Sequence, residues 1–403
     1  MKKRFRVIDF PVDNKTVLVR ASFNVPIKNK KVLDNKKIQV SLPTIEYLLQ
    51  RKAKIVLISH LGRPNGRFNS SLTLDPIAKE LKKLLPKTNI IKLDHCLGRD
   101  VRKTVKEAQP GEIILLENLR FHKEEEQNDT SFAHSLANLG DYYINADFST
   151  SHRKHASLHV ITKFLPSATG LSVEKELASL SQALKPKKPF IWILGGAKLD
   201  KLSILNNALK KADYVLVGGA LAFSFLKAKG FHVGMSKTDT KSISIAKKIL
   251  KKKSSKKIIL PVDFVVNKRS KSRAKPKIVS IQEIPMDQVG FDIGPKTVKL
   301  FKTYLQKAKT IIWNGPLGYF EVRPYDQGTK QIANFISKLD SATTIIGGGE
   351  TSEAIKEMKL EKKMTHVSTG GGATLAFLSG EKLPALVALE KNYKRFKKKF
   401  KQT

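Results

Sequence analysis

At 403 residues the chain is long for a single core and suits two domains of ordinary size. Its hydrophobic share of 41% is that of a folded globular protein. Its formal net charge of +40 invites a nucleic-acid reading, but no RNA- or DNA-binding signature accompanies the lysine runs at 246–257 and 267–277, and a solvated basic surface accounts for them. A lone cysteine, Cys96, excludes an internal disulfide and fits a reducing compartment. The basic start MKKRFRVIDF lacks the apolar core of a signal peptide. No apolar run reaches the roughly 18 residues of a membrane helix, so a cytoplasmic protein is expected.

The first half alternates apolar runs with amphipathic ones. TVLVRA (16–21), KIVLIS (54–59), EIILLE (112–117) and DYYIN (141–145) predict strands. LPTIEYLLQRK (42–52), with Ile45, Leu48 and Leu49 as its stripe, predicts a helix, as do LDPIAKELKKLL (74–85) and TSFAHSLANLG (130–140). Strands separated by helices pair in parallel and predict a three-layer α/β/α domain over 1–170. These strands lead into Arg20, into His60 and Arg63, into Arg120 and His122, and into His152, Arg153 and His155. Ligands of open parallel sheets bind at the carboxyl ends of the strands, so one edge gathers basic side chains suited to a small anion. His152, His155 and His159 have the look of a metal set but lack cysteines or a pair of carboxylates.

LSVEKELASLSQALKPKK (171–188) predicts a connecting helix. The next stretch, IWILGGAKLDKL (191–202), opens as a strand buried on both faces. Gly195 and Gly196 follow it, and Lys198 and Lys201 stand where a helix should begin. A tight glycine turn is expected to leave backbone N–H groups facing an anion. YVLV (214–217), TTII (343–346) and HVST (366–369) lead in the same way into Gly218-Gly219, Gly347-Gly348-Gly349 and Gly370-Gly371-Gly372. Such glycine-rich strand ends predict backbone close to a bulky ligand, a nucleotide, over a domain spanning 189–385. Neither GxxxxGK[ST] nor GxGxxG is present, which disfavours P-loop and dinucleotide folds. Glu350 reads either as a Mg²⁺ ligand or as an acid at a helix N-terminus. In the basic segment 386–403, with Leu389 just inside it, Tyr393, Phe396 and Phe400 continue an apolar stripe that should dock on the protein body.

FNVP (23–26), LPTI (42–45), SHLGRP (59–64), LLENLRFH (115–122), HRKHAS (152–157), GGAK (195–198), LPVD (260–263), DIGPKT (292–297), WNGPLGYFE (313–321), GGGET (347–351) and STGGGAT (368–374) follow one another along the chain. In these stretches and their order it resembles the phosphoglycerate kinase family from end to end. The resemblance implies two three-layer α/β/α domains with mainly parallel sheets, joined by a hinge helix. It implies phosphoryl transfer between 1,3-bisphosphoglycerate and ADP with Mg²⁺, by a monomer that binds 3-phosphoglycerate and ATP or ADP, and neither membrane nor specific nucleic acid. It implies an acid-substrate site of Ser22, Asn24, Lys37, His60, Leu61, Gly62, Arg63, Arg120 and Arg153. Its nucleotide site comprises Lys198, Lys201, Gly219, Asn314, Pro316, Glu321 on the ribose, Gly348, Gly349, Glu350 and Thr351, with Glu350 at the metal. Lys37, Lys198, Lys201, Gly349 and Gly372 then surround the transferring group.

Six departures fall inside that site. Ser22 stands where the family has Asp, and Lys37 where it has a catalytic Arg. One residue fewer separates Lys198 from Lys201, and NADFST (145–150) replaces Asn-Asp-Ala-Phe-Gly-Thr. Glu350 replaces Asp, and Tyr319 a small aliphatic. They predict reduced turnover. Two alternatives stand beside that reading: a member that keeps its ligand sites with little catalysis, and a basic protein that binds nucleic acid.

Overall fold

The computed structural model describes residues 3–197, 202–271 and 274–400. The chain divides into two compact units, Met1–Ala178 with Lys382–Thr403 and Ser179–Glu381, the division falling inside the helix Leu171–Leu184.

The first unit is built on a seven-stranded parallel sheet ordered Phe5–Arg6, Ser167–Thr169, Tyr142–Asn145, Thr16–Arg20, Lys54–Ile58, Ile113–Leu115, Ile90–Lys92. Alternate side chains of a strand point to opposite faces, and both faces are apolar here. Val17, Val19, Ile55 and Leu57 enter one core, while Leu18, Val56 and Ile58 enter the other. Ile38, Ile45 and Leu48 of the helix Lys36–Gln50 and Ile77 and Leu81 of the helix Asp75–Leu84 cover the first face. Val101 and Val105 of Arg99–Glu107 and Phe132 and Leu136 of Thr130–Ala137 cover the second. Tyr393 and Phe400 return to the first core, 4.8 and 5.3 Å from the Phe5 ring.

The first long helix starts at Lys36, well before the expected Leu42, and carries Pro43 in its interior. Proline there removes one helical donor, but the added turns bury Ile38 completely.

The second unit contains a six-stranded parallel sheet ordered Ile258–Ile259, Tyr214–Val217, Phe190–Leu194, Thr310–Asn314, Thr343–Gly347, His366–Val367. Phe190–Leu194 lies near its centre and is buried throughout. Beside it Asp263–Asn267 pairs antiparallel with Lys277–Ser280 and Val289–Ile293. That small sheet and the strand Thr310–Asn314 were not foreseen in the sequence. Among the described residues no helix is long and apolar enough to cross a membrane.

Candidate active site

At the carboxyl ends of the first unit's strands, hydrogen bonds lock the loop that follows Ile58. Asn24 Oδ1 accepts the Gly62 N–H at 3.0 Å, and Arg120 Nη1 donates to the Gly62 carbonyl at 2.7 Å. Asn118 accepts from the Leu61 N–H and donates to its carbonyl, at 3.2 and 2.8 Å. Lys37 Nζ donates to the Asn24 carbonyl at 3.1 Å. The structure thus brings Asn24, Lys37, Leu61, Gly62 and Arg120 together around one loop. Arg63 projects from it exposed, and Ser22 is buried on the neighbouring segment.

Arg20, at the end of the central strand, is almost wholly buried and fully occupied. It donates to Asp147 at 3.1 Å, to Ser157 at 3.0 Å and to His60 Nδ1 at 2.8 Å. Arginine only donates, so His60 Nδ1 accepts and the imidazole proton sits on Nε2. Burial, then the charges of Arg20, Arg120 and Arg153, hold His60 well below the ordinary histidine range. His155 is pushed down to about 3 by burial and then by Arg120 and Arg20. These are neutral histidines among cations.

Burial lowers Arg120 to about 10, with Arg153 beside it, against Glu126 at 3.1 Å. Arg120 Nη2 and Arg153 Nε are buried with no hydrogen-bond partner among the described residues. A buried donor left unpaired is costly, and an anion rich in oxygens satisfies both. Sequence reasoning missed Asn118, Asp147, Ser149 and Ser157, although ENLRFH and NADFST held the first three.

In the second unit the expectation for Gly195 and Gly196 is overturned. Their N–H groups do not face an anion. Gly195 donates to the Asn314 carbonyl at 2.8 Å and Gly196 to that of Pro316 at 2.7 Å. A Cβ on Gly195 would stand 2.2 Å from Pro316 O, and one on Gly219, where φ is +59°, would stand 2.5 Å from Gly196 N. What approaches these glycines is neighbouring backbone. Gly349 differs, since a Cβ there would meet nothing within 4 Å. It opens the helix Gly349–Glu357, for which Gly348 is the N-cap, and Gly372 likewise opens Gly372–Leu378. Lys198 and Lys201 lie outside the described residues.

A cavity of about 320 Å³ is lined by Gly219, Pro316, Glu321 and Glu350 from the expected set. Its other walls were unforeseen: Phe223 and Phe264, 4.6 Å apart, and Phe291, stacked on Tyr319 at 6.3 Å. Aromatic walls with a few polar groups suit a planar base. Asn314 and Thr351 brace the rim from behind. Asn314 Nδ2 donates to the Gly347 carbonyl at 2.7 Å, and Thr351 Oγ1 accepts the Gly315 N–H at 2.6 Å. Among the described residues, no group of three or more His, Cys, Asp or Glu is placed to hold a metal. Glu350, a single carboxylate in the first turn of its helix and on the cavity wall, fits the way Mg²⁺ is held jointly by one carboxylate and nucleotide phosphates.

One α/β unit whose buried guanidinium groups keep unpartnered nitrogens at its strand ends, and another with an aromatic cavity at its own, define a two-unit phosphotransferase. The family model described as Phosphoglycerate kinase matches residues 7–381. The chain belongs to the phosphoglycerate kinase family. It is 45% identical over 386 residues to the phosphoglycerate kinase of Dictyoglomus turgidum, covering 95% of this chain and 97% of that one. With that of Finegoldia magna it is 46% identical over 387 residues, covering 95% and 98%. The solved phosphoglycerate kinase of Coxiella burnetii is similar with a TM-score of 0.84 at 35% identity, covering 96% of this chain and 99% of that one. For that of Pyrococcus horikoshii the TM-score is 0.85 at 33% identity, covering 97% and 100%.

Proposed function

We propose that the protein transfers a phosphoryl group between the acyl phosphate of 1,3-bisphosphoglycerate and ADP, giving 3-phosphoglycerate and ATP. The observation that carries this reading is the pair of buried, unpartnered guanidinium nitrogens on Arg120 and Arg153, in a chain of this family. They call for a multiply charged small anion.

In this reading Arg63, Arg120 and Arg153 take the phosphoglycerate's anionic groups. Neutral His60 offers its Nε2–H without adding a further cation. Asn24, Leu61 and Gly62 hold the loop's shape, and Ser22 lies beside the substrate. The base enters the aromatic cavity near Gly219 and Pro316, with Glu321 on the ribose. Asn314, Gly348 and Thr351 brace the turn that carries Gly349 and Glu350. Gly349 and Gly372 present helix N-termini to the phosphates, and Lys198 and Lys201 join them from the sequence. Lys37 bears on the transferring group. Mg²⁺, held by Glu350 with the nucleotide, supplies charge neutralisation. Catalysis then rests on positioning and charge stabilisation, with no covalent intermediate.

Supplied with 1,3-bisphosphoglycerate and MgADP, the protein should form ATP, read by luciferase luminescence, and only when both are present. Absence of ATP with both ligands saturating would refute the proposal.

A further inference from the structure

In the second unit the fold gathers one of the lysine runs onto a single face. Between Asp239 and Asp263 the chain carries eight lysines and no Asp or Glu. The helix Thr240–Leu250 buries Ala246 and Ile249 and leaves Lys247 and Lys248 exposed. A short helical turn, Lys253–Lys257, then leads to the edge strand of the six-stranded sheet. Two lysines pin that turn to the carboxyl end of the helix Leu202–Lys211. Lys257 Nζ donates to the Leu209 and Ala212 carbonyls at 3.1 and 2.8 Å, and Lys252 Nζ donates to Asn206 Oδ1 at 2.8 Å. Lys251, Lys253 and Lys256 are thereby held, exposed, against the helix end that carries exposed Lys210. Among the described residues none of these six lysines has a carboxylate partner. The second unit's ion pairs lie at Asp213, Asp287 and Asp326.

This arrangement works against the fold. Lys247 and Lys251 stand four residues apart, where like charges repel. A helix C-terminus favours cations, but only within its last turn, which leaves Lys253 and Lys256 without that reason to be there. Local repulsion kept in a fixed shape is expected where a surface serves an outside partner. The segment 239–263 holds no aromatic residue, so it cannot stack on the open bases of a single strand. Its apolar side is turned into the body, so it cannot enter a lipid surface as an amphipathic helix does. A dense, regular row of phosphates fits, and a nucleic-acid duplex carries one charge per about 1.7 Å.

We infer that the face formed by Lys210, Lys247, Lys248, Lys251, Lys253 and Lys256 binds the phosphate backbone of duplex nucleic acid without regard to sequence. Its contacts are to phosphates alone, which position a duplex and read no base.

The test is fluorescence anisotropy of the full chain with labelled DNA duplexes of two unrelated sequences, over a series of salt concentrations. The two sequences should bind alike. A patch variant combines Lys247→Gln, Lys248→Gln, Lys251→Gln, Lys253→Gln and Lys256→Gln. It should lower the slope of log affinity against log salt by about 4, and affinity more than tenfold at about 0.1 M salt. A control removes five exposed lysines of the first unit by Lys52→Gln, Lys82→Gln, Lys87→Gln, Lys103→Gln and Lys106→Gln, and should keep most of both. Equal losses in the two variants would make binding a property of net charge alone and overturn the inference. Tighter binding of one sequence, or of the separated strands, would overturn it too. So would phosphatidylserine vesicles that bind the parent and not the patch variant while duplex binding is unchanged. With like charges removed, the patch variant should melt no lower than the parent. A lowered melting temperature with duplex binding intact would make these lysines structural and contradict the assignment.

Discussion

Lys37 offers one ammonium, 3.1 Å from the Asn24 carbonyl, where the family pattern has a guanidinium. An ammonium keeps the charge but cannot make the planar, two-pronged contact. Charge contacts at a transferring phosphoryl group are strongest in the transition state, and losing one preorganised donor typically costs on the order of 10²–10³ in turnover. Lys37→Arg should raise kcat about tenfold with little change in KM, measured by steady-state kinetics. A rise confined to affinity would place Lys37 in ground-state binding. The histidines make a second prediction at this scale. His155 titrates at about 3 in the fold against an ordinary 6.5, so below pH 6.5 the unfolded chain binds the proton first. The stability it contributes is present above 6.5 and is lost as pH falls toward 3. Denaturant melts from pH 7 to pH 4 should show stability falling, and His155→Gln should lessen the slope. Buried Glu125, raised by its own desolvation and 3.8 Å from His155, acts in the opposite sense.

The parallel strands were legible because both their faces are buried. Continuous apolar runs such as Val17–Val19 and Ile191–Leu194 admit few other readings. The polar residues that follow them mark strand ends, which is why His60, Arg120 and Arg153 group together in the sequence alone. The antiparallel sheet was hidden for the converse reason. Its strands run four or five residues, the last is the glycine-containing VGFDI, and a lysine-rich stretch interrupts them. The aromatic wall built from Phe264 and Phe291 was lost with that sheet. The glycines at 195 and 196 were misread because a sequence shows that something must come close without showing what. Here it is backbone, and that gives a prediction at the element scale. Gly195→Ala sets a methyl group against Pro316 O and should destabilise the second unit by on the order of 3 kcal/mol, read as a lowered melting temperature. Gly349→Ala, facing open space, should melt as the parent does and weaken MgADP binding. Normal binding in Gly349→Ala would place the phosphates elsewhere.

Across the molecule, the cationic cluster and the aromatic cavity belong to different units, so their ligands should respond to different substitutions. In calorimetry on the full chain, Arg153→Gln should weaken 3-phosphoglycerate by tenfold or more and leave MgADP unchanged. Phe291→Ala should do the reverse. A substitution in either unit that weakened both ligands alike would break this division of labour. If these two ligands exchange a phosphoryl group, the reaction also runs from 3-phosphoglycerate and MgATP. Coupled to glyceraldehyde-3-phosphate dehydrogenase, each acyl phosphate formed oxidises one NADH. NADH oxidation should be proportional to protein, dependent on both substrates and faster in Lys37→Arg. No oxidation above background, from protein that binds both ligands by calorimetry, would contradict that exchange.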